Sequence, residues 1–274
     1  MVTFVYLAHS QERFRRQTVF SILSMMEYLQ PSDLPHRIVV YTDKPDHFQL
    51  LEVETVPVTE RMLIEWKGDI DFVHRTKICV MLDAAERFSG KLMFLDSDNC
   101  LFRNPVDFLR NWSDDTVIME KLEYVLNSPA DRVGEKYKRF FKYTNRFAGY
   151  DVGMNQNCWN SGIIGLPESA HEKLPDVLKV CDEMHSKFNK HLSEQMAFSI
   201  VMSKHFKVKP FKDYTYHWFG HGQAINAIVE RVLVNFETQN LNDLILSVAA
   251  VKEEVRNAPL NRNKLPWYKR WFSS

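Results

Sequence analysis

The segment Lys91-Leu92-Met93-Phe94-Leu95-Asp96-Ser97-Asp98-Asn99 constrains this chain more than any other. Its first half is an apolar run that reads as a buried strand, and such strands belong to helix-covered sheets. Its second half places two carboxylates, one residue apart, at the strand's exit. In an open α/β sheet that end is where ligands bind. Alternation along extended backbone points Asp96 and Asp98 the same way, so both reach one hard divalent cation that also holds phosphate oxygens. Taken alone, the triplet equally describes an acidic turn in solvent.

The flanking sequence supplies the sheet. Apolar and β-branched runs predict strands over 3–8, 37–42 and 53–58, and helical spacing predicts helices over 12–29 and 75–88, the second stopped by Ser89-Gly90. After the strand over 91–95, further strands are expected at 116–119 and 161–165, with helices at 168–188, 193–204 and 241–255. This alternation implies an α/β fold with a largely parallel, helix-covered sheet. One domain is expected over 1–258, followed by a tail over 259–274.

Composition removes several classes. Hydrophobic residues are 45% and charged residues 26% of the 274, which excludes a disordered chain. Lys plus Arg is 35 and Asp plus Glu is 35, so no whole-surface attraction draws in nucleic acid, and none is expected as a partner. Aromatic residues reach 13% against only 9 glycines, which suits tight packing and sugar binding. Cys79, Cys100, Cys158 and Cys181 form no CxxC pair, so neither a zinc ribbon nor a disulfide scaffold is signalled and a reducing compartment is expected. The apolar run over 2–8 is too short for a secretion signal, and no segment reads as a membrane span. The expected location is therefore cytoplasmic, with peripheral contact at the inner face of the membrane left open.

Four further short motifs accompany Asp96-Ser97-Asp98 in a fixed order: Thr76-Lys77 before it, then Asn160-Ser161-Gly162, Glu194-Gln195 and His217-Trp218-Phe219-Gly220. In this order the chain, from about residue 3 to 222, resembles the GT-A glycosyltransferases, nearest to glycosyltransferase family 8, which includes glycogenin and bacterial lipopolysaccharide galactosyl- and glucosyltransferases. The resemblance implies a GT-A fold, a Rossmann-like mixed and mostly parallel sheet flanked by helices. It further implies that Asp96, Asp98 and His217 ligate Mn2+ or Mg2+, which neutralises a leaving diphosphate. His221 is the fallback ligand, and a packed histidine in an aromatic stretch is the competing reading of His217.

For the nucleotide-sugar donor, the resemblance implies contacts from Ala8, His9 and Ser10 at the first strand's exit, from Asp43 after the second, and from Lys77, Ser97 and Gly220. Arg75 is near enough to Lys77 to replace it. Asn160 and Gly162 would lie beside the donor sugar, Glu194 would contact its hydroxyls and Gln195 would lie near the reacting carbon. Two departures stand out: Glu194 replaces the family's aspartate, and Gly222-Gln223-Ala224 replaces its Lys-Pro-Trp. The implied activity is metal-dependent transfer of a hexose from a UDP-sugar to a glycan or glycolipid hydroxyl, with retention, in polysaccharide or lipopolysaccharide synthesis.

On the acceptor side, residues 132–146 interleave Arg132, Lys136, Lys138, Arg139, Lys142 and Arg146 with Tyr137, Phe140, Phe141 and Tyr143. Such a stretch is either a patch for an anionic glycan or membrane, or an amphipathic helix with solvated cations. The tail, with Arg262, Lys264, Trp267, Tyr268, Lys269, Arg270, Trp271 and Phe272, has a composition suited to an anionic leaflet. Two other functions compete. One is a sugar-nucleotide-binding module without turnover, supported by the two departures. The other is an aspartate-nucleophile phosphatase using Asp96, with Asp114-Asp115 as metal ligands. A nucleotidylyltransferase is disfavoured because residues 7–16 contain no glycine.

Overall fold

A computed structural model describes residues 1–218 and 222–259. The opening is a βαβ unit: β1 (Val2–Ala8), α1 (Glu12–Leu29) and β2 (His36–Thr42), with β1 and β2 parallel from Val2 beside His36 to Ala8 beside Thr42. A short edge strand, β3 (Glu54–Pro57), pairs with β2, and its terminal proline is tolerated because an edge needs no further ladder donor. Next come α2 (Glu60–Lys67), capped by the Thr59 side chain, α3 (Arg75–Arg87) and β4 (Lys91–Leu95), parallel to β1.

The middle of the chain is built from short pieces: β5 (Asn99–Leu101), α4 (Val106–Arg110), β6 (Thr116–Met119) and β7 (Leu122–Val125). Asp131 accepts from the backbone of Val133 and Gly134 to start α5 (Arg132–Tyr143), followed by the hairpin β8 (Arg146–Phe147) and β9 (Tyr150–Asp151). Then follow β10 (Asn157–Trp159), β11 (Ile163–Leu166), α6 (Leu174–Lys187), α7 (Ser193–His205), β12 (Lys207–Pro210), β13 (Thr215–His217), α8 (Gln223–Val232) and α9 (Leu241–Asn257).

The main sheet has the order β12-β6-β11-β4-β1-β2-β3. All neighbours are parallel except β11, which runs against both β4 and β6. Successive residues of one strand enter opposite cores, as alternation requires. Val5, Val39, Tyr41 and Phe94 pack with α3, α6 and α7 on one face, and Phe4, Tyr6, Val40, Met93 and Leu95 with α1, α8 and α9 on the other. This two-sided burial is why the strands read as continuous apolar runs.

Two expectations change. Ser161 and Gly162 belong to the turn that feeds β11 rather than to the strand. The helix expected over 168–188 divides into a 3-10 turn, Glu168–Lys173, and α6, with Pro175 in the first turn of α6, where a missing N–H costs nothing. Within 132–146 the amphipathic-helix reading holds for α5, residues 132–143, where Tyr137 and Phe141 are buried while Arg132, Lys136, Arg139 and Lys142 are exposed. Among the described residues no helix is long and apolar enough to cross a membrane. The tail over 260–274 lies outside the described residues.

Candidate functional site

Strands β1, β2, β4, β6 and β12 run the same way, so Ala8, Thr42, Leu95 and Met119 all end at one edge, where β11 begins. The turn after β4 is pinned there: the Asp96 amide donates to the Gly162 carbonyl at 2.9 Å, and Asn99 Nδ2 donates to the carbonyls of Asp96 (3.1 Å) and Gly162 (3.2 Å). Pairing of β5 with β13 puts His217 opposite Asn99 and carries it across more than a hundred residues to Asp98. One ligand atom each from Asp96, Asp98 and His217 lies within 4.8 Å of the others.

His217 is held at both nitrogens, Nε2 at 3.1 Å from Asp98 Oδ1 and Nδ1 at 2.6 Å from Glu120 Oε2. Burial opposes its charge, but the two carboxylates outweigh burial and raise its pKa from 6.5 to about 10. The Nδ1 bond to Glu120 aims Nε2 at the aspartates, as a carboxylate behind a ligand histidine commonly does. Two carboxylates and one imidazole form a mixed oxygen and nitrogen set that suits Mn2+ better than Mg2+, whose preference is for oxygen alone. These residues fit a divalent cation.

Gly162 serves this pair rather than opening space for a ligand. A Cβ there would lie 2.3 Å from both Glu120 Oε2 and His217 Nδ1, so any side chain would push the histidine and its carboxylate apart.

Lys77, on α3, is buried beneath the aspartates. Its Nζ lies 2.9 Å from Asp96 Oδ1, donates to the Ser161 carbonyl at 2.9 Å, and is 3.9 Å from Glu194 Oε1. Burial opposes its charge, yet Asp96, Glu194 and Asp98 raise its pKa, so it remains an ammonium. Arg75 is no substitute: it donates to both oxygens of Asp182 and to the Trp66 carbonyl, tying α3 to α6. Asp96, flanked by Lys77, has a raised pKa because burial outweighs the lysine.

Glu194 and Gln195 open α7 and are both buried. Glu194 Oε2 accepts from Ser161 Oγ at 3.0 Å, while its Oε1 has no hydrogen-bond partner among the described residues. Burial raises its pKa from 4.5 to about 7, against the pull of Lys77. Asn160 donates through Nδ2 to Glu123 Oε1 at 2.9 Å and accepts from the Gly162 amide at 2.8 Å. Gln195 Nε2 donates to Glu123 Oε2 at 2.9 Å.

The region expected to meet the nucleoside is less uniform. Ser10 adopts a left-handed φ of 68°, strain of the kind stored at ligand sites. Its amide donates to Asp43 Oδ2 at 3.2 Å, Arg15 donates to Asp43 Oδ1 at 3.3 Å, and His9 Nδ1 lies 2.6 Å from Ser10 Oγ. Burial lowers the His9 pKa, leaving a neutral imidazole. Asp43 is thus already bonded through both oxygens, and the Ala8 side chain is buried in the core under α1, so only the Ala8 backbone faces the edge. Ser97 is half-buried between the two aspartates. Gly220 and His221 lie outside the described residues.

The structure brings Lys77, Asp96, Asp98, Asn160, Glu194, Gln195 and His217 together and separates the phosphatase ligands from them. Asp114 lies 3.5 Å from Lys91, at the start of β4, and Asp115 lies 2.6 Å from Lys207, at the start of β12. Both stand at the opposite end of the strands from Asp96, so that reading fails on geometry. Two site residues were missed, Glu120 and Glu123. Glu120 follows the buried run Thr116–Met119 as Asp96 follows Lys91–Leu95, and the same strand-exit rule would have found it.

No protein-family model matches the chain, and no curated protein matches it in sequence. Solved structures do match in fold. The galactosyltransferase LgtC, in complex with donor and acceptor sugar analogues, superposes with a TM-score of 0.56 at 13% identity, over 93% of this chain and 99% of LgtC. An LgtC active-site mutant, a glutamine-to-glutamate change, superposes with a TM-score of 0.51 at 12% identity, over 75% of this chain and 72% of that one. With its seven-stranded sheet, mixed at β11, the chain has the GT-A fold of that galactosyltransferase.

Proposed function

We propose that this protein is a metal-dependent glycosyltransferase that moves a hexose from a UDP-sugar to a hydroxyl of a glycan or glycolipid, with retention. The observation that carries the reading is the Asp96, Asp98 and His217 cluster at the carboxyl edge of a GT-A sheet. A divalent cation held by these three would supply positive charge to the leaving diphosphate. Lys77, a buried ammonium beside Asp96, adds a fixed positive charge where negative charge develops. Glu194 Oε1, buried and without a hydrogen-bond partner among the described residues, is the atom in place to accept from a donor-sugar hydroxyl. Ser10, His9 and the Asp43 turn shape the nucleoside end. Gln195 offers an uncharged amide near the reacting carbon, consistent with a same-face reaction in which the leaving phosphate takes the acceptor proton. Metal-stimulated UDP release from a panel of UDP-hexoses tests the reading. Turnover supports a transferase, whereas tight binding with no release in the presence or absence of acceptor sugars supports the binding module.

A further inference from the structure

We infer that Glu123 is a positioning residue that sets the orientation of both site amides, Asn160 and Gln195, and thereby leaves the Gln195 carbonyl oxygen as the group offered to the substrate. The inference rests on the glycosyltransferase reading for its consequence, but on hydrogen bonding for its geometry. Glu123 lies on β7, which pairs with β10 just before Asn160. Its two oxygens are divided: Oε1 accepts from Asn160 Nδ2 and Oε2 from Gln195 Nε2, each at 2.9 Å.

A carboxylate only accepts, whereas an amide donates from one end and accepts at the other. Each amide must therefore turn its NH2 to Glu123 and its oxygen away. An inverted amide would set an oxygen against a charged oxygen at hydrogen-bond distance. For Asn160 the consequence is visible, since Oδ1 accepts from the Gly162 amide at 2.8 Å and closes the turn into β11. For Gln195 no hydrogen bond to Oε1 is formed among the described residues, although the side chain is only 4% exposed. Without Glu123 no other described residue distinguishes the two ends of the Gln195 amide, and half of its orientations would present NH2 to the donor in place of an oxygen.

Glu123→Gln tests this, because the new amide can accept from one partner only by turning its own NH2 toward the other. With manganese present, UDP affinity and the donor KM are expected to stay within about threefold of wild type, while kcat for UDP release falls on the order of 100-fold, the cost of misplacing a reacting group. The 15N-detected side-chain NH2 signals of Asn160 and Gln195, which need no turnover, are expected to move. Glu123→Gln combined with Gln195→Glu restores a complementary set, since the amide at 123 donates to the carboxylate at 195 and still accepts from Asn160. This pair is expected to return the Asn160 signal to its wild-type position. Unmoved amide signals with unchanged kcat overturn the proposal, as does a change in thermal midpoint alone. Should Glu123→Gln not fold, a folded double variant with the wild-type Asn160 signal supports the proposal, and an unfolded one contradicts it. If wild-type protein binds no UDP, the transferase reading fails instead, and the amide signals alone decide the role of Glu123.

Discussion

The two edges of the main sheet carry similar charges and different chemistry. At the opening edge Lys207 pairs with Asp115 at 2.6 Å, with side chains 75% and 55% exposed. At the carboxyl edge Lys77 pairs with Asp96 at 2.9 Å, with side chains 9% and 29% exposed. The distances barely differ, but the surroundings do. Asp115 is an exposed acceptor whose pKa is lowered by bonds from Lys207, Ser113 and Thr116, so it simply stays ionised. At the other edge burial brings Glu194 to about 7 and two carboxylates bring His217 to about 10, values set by competition between desolvation and neighbours. Pairing alone does not make a site; pairing out of water, at a strand exit, with ligand atoms converging, does.

The comparison breaks most sharply at Lys77. Lys77→Met removes a buried cation and leaves Asp96 and Glu194 without their counter-charge, which should cost about 3–5 kcal/mol of stability. Lys207→Met, at the exposed and water-screened pair, should leave stability close to that of wild type. Urea unfolding of the two variants measures both, and similar losses would erase the distinction drawn between the edges.

Glu120→Gln comes next. It weakens the acceptor behind His217 Nδ1 without touching the three candidate ligands, and should lower manganese affinity by about 10- to 100-fold. Titration of the metal into each protein checks this, and unchanged affinity would reduce Glu120 to packing.

The smallest effect is a pH dependence. The pKa of Glu194 is raised on folding, from 4.5 to about 7, so between those values the folded chain binds the proton more than the unfolded chain does. Its contribution is fully present below pH 4.5 and is lost as pH rises through 7. Glu194→Gln should therefore flatten the fall in thermal midpoint over that interval. An identical pH profile in the variant would remove Glu194 from the account.

Much of the scaffold was legible because buried strands are apolar without a break: 91–95 and 116–119 were expected where β4 and β6 lie, and the helix over 12–29 coincides with α1. Strands of three or four residues, such as β5, β7, β10 and β13, have too few residues to show a period, and they exist only because each finds a partner. That limit hid Glu123, whose place beside Asn160 and Gln195 depends on the pairing of β7 with β10. Helix α2 was missed although Thr59 caps it with a visible signal, because its eight residues bury none of their own. Gly162 was legible as a residue that must be glycine, but not for the right reason: the close approach is by Glu120 and His217.

The central claim is that Asp96, Asp98 and His217 form a cation site that serves a nucleotide-sugar. Calorimetric titration of UDP with and without manganese, into wild-type protein and Asp98→Ala, tests it most directly. The account predicts UDP binding that requires manganese and disappears in the variant. Binding that is equal without the metal and equal in the variant would contradict it.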